Sequence, residues 1–311
     1  MKPKITVVGS FAVGMTIRTP VLPVFGETLL GSDFDMGPGG KGSNQAVAAA
    51  RLGADAALVA RVGSDPLAAI AHDLYRAEGV DPAQVVALSD RATGVGFIIL
   101  NTEGDNFIIL DMGANDAMDA AAVDAAADRI AQSDVVMAVL EIPTAAASRA
   151  MALGRAAGAR TILNPAPARL LPDEIFANVD VLTPNESELR ILLGLPADAP
   201  ASTRDLAVQL RQRGVGTVVV TMGRNGALIL SDQYDVVVPS APIAVVDTTG
   251  AGDAFNAGLA VALAEGRELP DAVRYAAASG AIACTRLGVI PSLGRRAEVD
   301  ALFQTNSGYA R

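Results

Sequence analysis

Apolar positions along the chain fall into short solid runs separated by stretches whose apolar residues recur at helical spacing. Upstream, the pattern predicts a strand over 5–8, an Ala-rich helix over 45–52, a strand over 57–62 and a helix over Pro66–Glu78 that stops at Gly79. Beyond Asn115 the alternation becomes regular. Helix 119–132 precedes strand 135–140, and helix 144–157 precedes strand 160–163. Strand 179–182, helices 185–193 and 202–213, strand 217–221 and a hairpin over 227–238 follow. A last apolar run, 243–246, reads as a buried strand leading into a helix over 254–264, with Gly266 past its end. Strands alternating with helical stretches of roughly ten to fifteen residues imply a mostly parallel sheet covered by helices on both sides.

Two regions do not fit that wrapping. Residues 12–36 read as strand and turn, punctuated by Pro20, Pro23, Gly26 and Gly31, and 97–100 with 107–110 reads as a hairpin. We assign them to a small β lid, formed by about 12–37 and 94–110, beside one main α/β domain within a single unit spanning 1–311. The hairpin is apolar on both faces (Phe97, Ile98, Ile99, Leu100; Phe107, Ile108, Ile109, Leu110), which predicts a homodimer through the lid.

The 311 residues suffice for a sizeable core, and although 51% are apolar, much of that is alanine. No run of 18 or more apolar residues exists, so no membrane helix is expected. The start offers only the apolar run 5–8, too short for a signal peptide, and a cytoplasmic protein is expected. A net charge of −10 argues against nucleic acid or an anionic membrane as partner, while leaving room for an anionic nucleotide. One Cys and one His exclude a disulfide within the chain and a Cys/His zinc site, and argue against a Ser-His-Asp triad. Cys284 reads as a core filler and His72 as a surface residue of a helix. Chemistry must then rest on carboxylates, lysine, backbone donors and bound metal.

The stretch from Asp247 to Asn256 concentrates such groups. Its glycines, Gly250 and Gly252, let the backbone approach a ligand and leave the first N–H groups of a helix facing outward, an anion site. Asp253 in the first turn is either a helix-stabilising carboxylate or an acid that takes a hydroxyl proton beside that site. A second glycine-rich segment, Gly37-x-Gly39-x-x-Gly42 with Asp65 after the next strand, formally matches the dinucleotide fingerprint. It is not in the first βα turn, carries Lys41 in its middle, and competes with the loop at 250–253. Lys41 at a helix N-terminus opposes the dipole and needs a ligand or a carboxylate partner. Glu141, at the end of strand 135–140, is a ligand carboxylate or a helix-capping acid. Asn185 and Glu188 form either a capping box or part of a site.

Asp247-Thr248-Thr249-Gly250-Ala251-Gly252-Asp253-Ala254-Phe255 has the form of the second signature of the ribokinase (PfkB) family of carbohydrate kinases. Gly39-Gly40-Lys41-Gly42-Ser43-Asn44-Gln45 resembles the first, and the likeness runs from about Ile5 to Phe303. The resemblance implies a ribokinase-like three-layer α/β/α sandwich with a β lid, working as an ATP-dependent sugar kinase. Asp253 would take the proton of a primary hydroxyl, the N–H groups of Gly250, Ala251 and Gly252 would stabilise the transferring phosphoryl, and Mg²⁺ would bridge phosphate oxygens. Gly40, Lys41, Asn44 and Glu141 would hold sugar hydroxyls, and Asn164–Arg169 would serve as scaffold. Asn185 and Glu188 would organise the Mg²⁺ and phosphate region through water, and Thr221, Gly223 and Gly226 would border the nucleotide. The carbonyls of Ala283, Arg286 and Gly288, with Asp247, Thr249 and Ser292, would ligate potassium. The chain departs from ribokinases at Ala12 and Gly14, where they carry an Asn and an Asp, so ribose is expected to be a poor substrate. A nucleoside kinase of the same family, an oxidoreductase using the 37–42 loop and a non-catalytic sugar sensor remain as alternatives.

Overall fold

The computed structural model describes residues 2–103 and 106–306. Its strands are β1 (Lys4–Val8), β2 (Ala12–Thr19), β3 (Ser32–Gly39), β4 (Asp55–Gly63), β5 (Asp81–Leu88), β6 (Gly94–Asn101) and β7 (Asn106–Asp111). They continue with β8 (Val135–Val139), β9 (Arg160–Asn164), β10 (Val181–Leu182), β11 (Thr217–Thr221), β12 (Ala227–Leu230) and β13 (Asp235–Val238). Nine of them form one sheet in the order β13-β12-β11-β10-β9-β8-β1-β4-β5, parallel except for the hairpin arm β11-β12-β13. The other four form a separate sheet, β3-β2-β6-β7.

Alternation along the central strands builds a core on each face. Ile5 and Val7 of β1, with Val135 and Met137 of β8, point into a cluster shared with the helices Lys41–Arg51, Pro66–Glu78, Ala251–Ala264 and Leu269–Ala283. Val8, Val136 and Ala138 point the other way, onto Thr144–Ala156, Glu186–Leu192 and Thr203–Gln212. Helix Ala251–Ala264 is buried at every position from Asp253 to Leu263, and its small residues let a neighbour close in. A Cβ on Gly258 would lie 3.1 Å from Ala276 Cα of helix Leu269–Ala283. Three layers and a small β-sheet lid result, as expected, and among the described residues no helix is long and apolar enough to cross a membrane.

Several elements differ from expectation. Residues 243–246 are not a strand, and Val245 and Val246 are 62% and 57% exposed. The chain leaves the sheet after β13 through Pro239 and Pro242, which cannot donate to a ladder, and Val246 N–H bonds Cys284 O instead at 2.8 Å. Helix 119–132 is two short helices, Ala120–Asp124 and Ala127–Ala131, a break that nothing in its alanine-rich sequence explains. The helix expected at 45 starts at Lys41, and β5, which carries Pro82 at the sheet edge, was not foreseen.

Ser10, Glu141 and Thr183 just past β1, β8 and β10, and Asn164 as the last residue of β9, all lie at the carboxyl ends of parallel strands, where open α/β sheets bind ligands. The lid hangs over this edge. Phe11 and Val13 are buried in the core, whereas Ser10 bonds Glu141, so alternation places Ala12, Gly14 and Thr16 on the site-facing side of β2.

Candidate active site

Helix Lys41–Arg51 is driven onto the end of β1. Gly40 adopts φ 90°, and a Cβ there would lie 2.9 Å from Ala12 N and Phe11 Cα. A Cβ on Gly42 would lie 2.5 Å from Ser10 N. The helix has no cap of its own. Glu141 Oε2 accepts the Lys41 N–H at 2.7 Å and the Ser10 hydroxyl at 2.5 Å, and Ser10 Oγ accepts the Gly42 N–H at 3.3 Å. Glu141 therefore does cap a helix, one remote in sequence, and its other oxygen makes no protein bond among the described residues.

Gly250, at φ 81°, turns the chain into helix Ala251–Ala264, and Asp253 comes to lie 6% exposed against helix Lys41–Arg51. Its oxygens accept Asn44 Nδ2 at 2.8 Å and Gln45 Nε2 at 3.0 Å. Burial pushes the Asp253 carboxyl above its ordinary value; Lys41 and the two amides pull it back without cancelling the effect, and Glu141 opposes them. Burial would lower the Lys41 ammonium, but Asp253, Glu141 and Glu188 outweigh it and leave its pKa raised. Carboxylates thus surround Lys41, although among the described residues none forms an ion pair with its ammonium. Asn44 Oδ1 and Gln45 Oε1 are buried without a partner, a cost of about 1–3 kcal/mol each that a ligand's hydroxyl can relieve.

The helix end beside Asp253 is open. A Cβ on Gly252 would meet nothing within 4 Å. Among the described residues the N–H groups of Gly250, Gly252 and Asp253 have no acceptor, whereas that of Ala251, expected to be free, donates to Thr248 O at 3.2 Å. A tight Gly250 turn brings Ala251 back over Thr248, so Asp253's own N–H takes its place in the set of open donors.

Asn185 and Glu188 form the capping box, Asn185 Oδ1 accepting Glu188 N–H and Glu188 Oε2 accepting Asn185 N–H, both at 2.8 Å. Burial raises the Glu188 carboxyl; the Asn185 N–H and Lys41 counter it, and Asp253 adds to the rise. Glu188 thus acts on both Lys41 and Asp253. Thr221 joins the same region, its N–H bonded to Pro184 O at 2.9 Å. Gly223 opens an exposed 3₁₀ turn, and Gly226, at φ 88°, is fixed as glycine because a Cβ would lie 1.9 Å from Val238 O.

Of the six residues expected to hold a monovalent cation, Asp247, Thr249 and Gly288 are bonded together. Asp247 Oδ1 accepts Thr249 N–H and hydroxyl at 2.9 and 2.6 Å, and Oδ2 accepts Gly288 N–H at 3.2 Å. Burial works to raise the Asp247 carboxyl, but these three bonds leave it below its ordinary value. Ala283 ends helix Leu269–Ala283, Arg286 is exposed and paired with Glu298, and the buried Ser292 hydroxyl donates to Val289 O at 2.8 Å. A Cβ on Gly250 would lie 2.9 Å from Val289 Cγ1, so this loop packs directly under the open helix end.

The dinucleotide reading fails. Gly37 and Gly39 belong to lid strand β3, and Asp65 caps helix Pro66–Glu78 while accepting from Thr93 N–H at 2.7 Å and Thr93 Oγ1 at 2.8 Å. Ser10, Gln45, Thr183 and Asn256 were not foreseen as site residues, and Asn164 was read as scaffold. For Ser10, Asn164 and Thr183 the available signal was a polar residue at a buried strand's carboxyl end; Gln45 and Asn256 lie on helices and carried none.

A buried carboxylate beside unpaired helix N–H groups and a lysine, under a lid on a doubly wound sheet, is the equipment of a phosphoryl-transfer enzyme. Residues 2–295 match the pfkB family carbohydrate kinase model, and the chain belongs to that family. It is 35% identical over 298 residues to the ribokinase of Haemophilus influenzae, covering 96% of this chain and 97% of that one. With the ribokinase of Bacillus subtilis it shares 37% over 299 residues, 96% and 99% of the two chains. The Arabidopsis thaliana ribokinase complexed with ribose and ATP superposes with a TM-score of 0.90 at 30% identity, covering 98% of this chain and 99% of that one. The protein is accordingly a carbohydrate-kinase-type phosphotransferase.

Proposed function

We propose that the protein transfers the γ-phosphoryl group of ATP to a primary hydroxyl of a sugar, with Asp253 as the base. The observation that carries this is Asp253 itself, aimed by two buried amides and set beside the open N–H groups of Gly250, Gly252 and its own residue. The acceptor's O–H bond breaks as its oxygen bonds phosphorus, the proton passes to Asp253, and ADP leaves. An alcohol loses its proton late in a loose transfer, so a carboxylate suffices, and a raised pKa brings it nearer the working pH. Asn44 Oδ1, Lys41 and the free oxygen of Glu141 would receive and orient the acceptor's hydroxyls. Thr221, Gly223 and Gly226 would border the nucleotide.

Among the described residues no cluster of three or more His, Cys, Asp or Glu is placed to hold a metal. Glu188, with one oxygen outside the capping box, fits an outer role toward Mg²⁺ that keeps its waters. When bound, Mg²⁺ would neutralise charge on the nucleotide's phosphates. The Asp247–Thr249 turn, tied to the 283–292 loop through the Gly288 N–H, would with that loop's carbonyls supply oxygen donors of the kind that suits potassium.

The acceptor differs from ribose in this reading. Across the lid, Gly14 lies between Gly37 and Gly96, and a Cβ on Gly14 would approach only Gly37 O, at 3.7 Å. Glycine weakens a strand and marks close approach by a ligand or another backbone. One rank outward the same face carries Thr16 opposite Asp35, about 7 Å away along the strand. A larger or less hydroxylated acceptor would use this space, and a nucleoside is the second reading it admits. The test is ADP release across pentoses, deoxypentoses, hexoses, sugar acids and nucleosides. We expect release with one of these classes, ribose below a kcat/KM of about 10⁴ M⁻¹s⁻¹, and improvement of ribose in Gly14→Asp. Ribose above that value overturns the substrate reading; no release with any acceptor overturns the kinase reading.

A further inference from the structure

We infer that Gln45 is a positioning residue, locking Asp253 both to the sheet and to the open end of its own helix through a closed ring of buried hydrogen bonds. The inference rests on the reading of Asp253 as the base. Gln45 Nε2 donates to Asp253 Oδ1 and to Asn164 Oδ1, each at 3.0 Å. Asn164, the last residue of β9, donates through Nδ2 to Thr183 O at 3.2 Å. The Thr183 hydroxyl, just past β10, donates to Asn256 Oδ1 at 2.6 Å, and Asn256 Nδ2 donates to Gly252 O at 2.9 Å. Gly252 is covalently joined to Asp253, so the ring closes.

Every side chain in this ring is buried. Polar groups out of water are costly, and apolar residues of the same shape would pack at nearly equal stability. What apolar residues could not do is fix the rotation of a carboxylate. Gln45 has even left its Oε1 buried and unpartnered to keep both N–H bonds on Asp253 and Asn164. Turning the amide over would set that oxygen against the carboxylate, so its orientation is dictated by ionised Asp253. The ring also fixes the helix turn bearing the open N–H groups relative to the strand ends, and with it the distance from base to phosphoryl site.

The charges facing Asp253 are Lys41, Glu141 and Glu188, and all remain when Gln45 is changed. In Gln45→Met, an unbranched residue of similar length, Asp253 keeps the Asn44 bond and loses the other. We expect kcat to fall about ten- to a hundredfold with the KM for ATP nearly unchanged. The acid limb of the kcat profile should move up by about one to two pH units, because one bond favouring the charged form is gone. Thr183→Val opens the ring at its far side; kcat should fall while the acid limb stays in place. A folded Gln45→Met enzyme with wild-type kcat and acid limb overturns the inference. If that variant does not fold, wild-type kcat in Thr183→Val overturns it. Should Asp253→Asn abolish turnover while both ring variants are unaffected, only this inference fails. Full turnover in Asp253→Asn removes the base and the inference with it.

Discussion

As the proposed base, Asp253 meets two opposing demands, since it would have to ionise to work and is buried so deeply that ionisation costs stability. Replacing it with Asn should lower kcat roughly 10²–10⁴-fold with little change in ATP affinity, as steady-state kinetics would show. The stability effect has the opposite sign. Burial raises the folded-state pKa above the unfolded value, so ionisation subtracts stability in full above the raised value, and the loss fades as pH falls from there toward the ordinary carboxylate range. Asp253→Asn should therefore melt no lower than wild type near pH 8, by an advantage that shrinks toward about pH 4, where an ordinary Asp titrates. A variant that melts well below wild type at both pH values would contradict this. The sequence displayed Asp253, Lys41, Asn44 and Glu141, because glycine loops and helix starts mark them locally. It hid Ser10 and Gln45, whose roles depend on partners such as Glu141 and Asp253, brought from far along the chain only by folding.

Among the elements, the junction of helix Lys41–Arg51 with β1 leaves no room for added atoms. A Cβ on Gly42 would lie 2.5–2.8 Å from backbone atoms of Gly9 and Ser10, which cannot rotate away. Gly42→Ala should cost about 1–3 kcal/mol in urea unfolding and disturb acceptor binding by shifting Lys41 and Asn44. The loop at 283–292 packs beneath Gly250, so a cation held there would fix the open helix end. Activity should rise with potassium, less with sodium, and not with a bulky organic cation; a flat response to all three would contradict it. Elements with their own periodicity or caps were legible, Pro66–Glu78 and β11 to the residue. The run 243–246 was not, since four apolar residues say nothing about whether a sheet edge is available to them, and here two prolines carry the chain away from it.

At the scale of the whole molecule, the alternation of strands and helices was enough to show the layered domain, and the β segments that did not fit that alternation were enough to show a separate lid. The lid's apolar face is uncovered in the single chain, with Phe97 50% and Phe107 53% exposed. We expect a second copy to cover it, so light scattering at micromolar concentration should give a dimer mass, and a monomer mass would contradict the pairing. What no pattern revealed is how the two halves of the site meet. In the proposed function the acceptor side would come from residues 40–45 and 141 and the transfer side from 250–253, and the amides of Asn44 and Gln45 join the two across the sheet edge. That junction is tested most directly by following label from γ-phosphate-labelled ATP into the acceptor that gives most ADP, in wild type and in Asp253→Asn. The account predicts label in the acceptor's primary phosphate with wild type and a loss of at least about a hundredfold in the variant. Equal transfer by both proteins, or label released only as free phosphate by wild type, would contradict it.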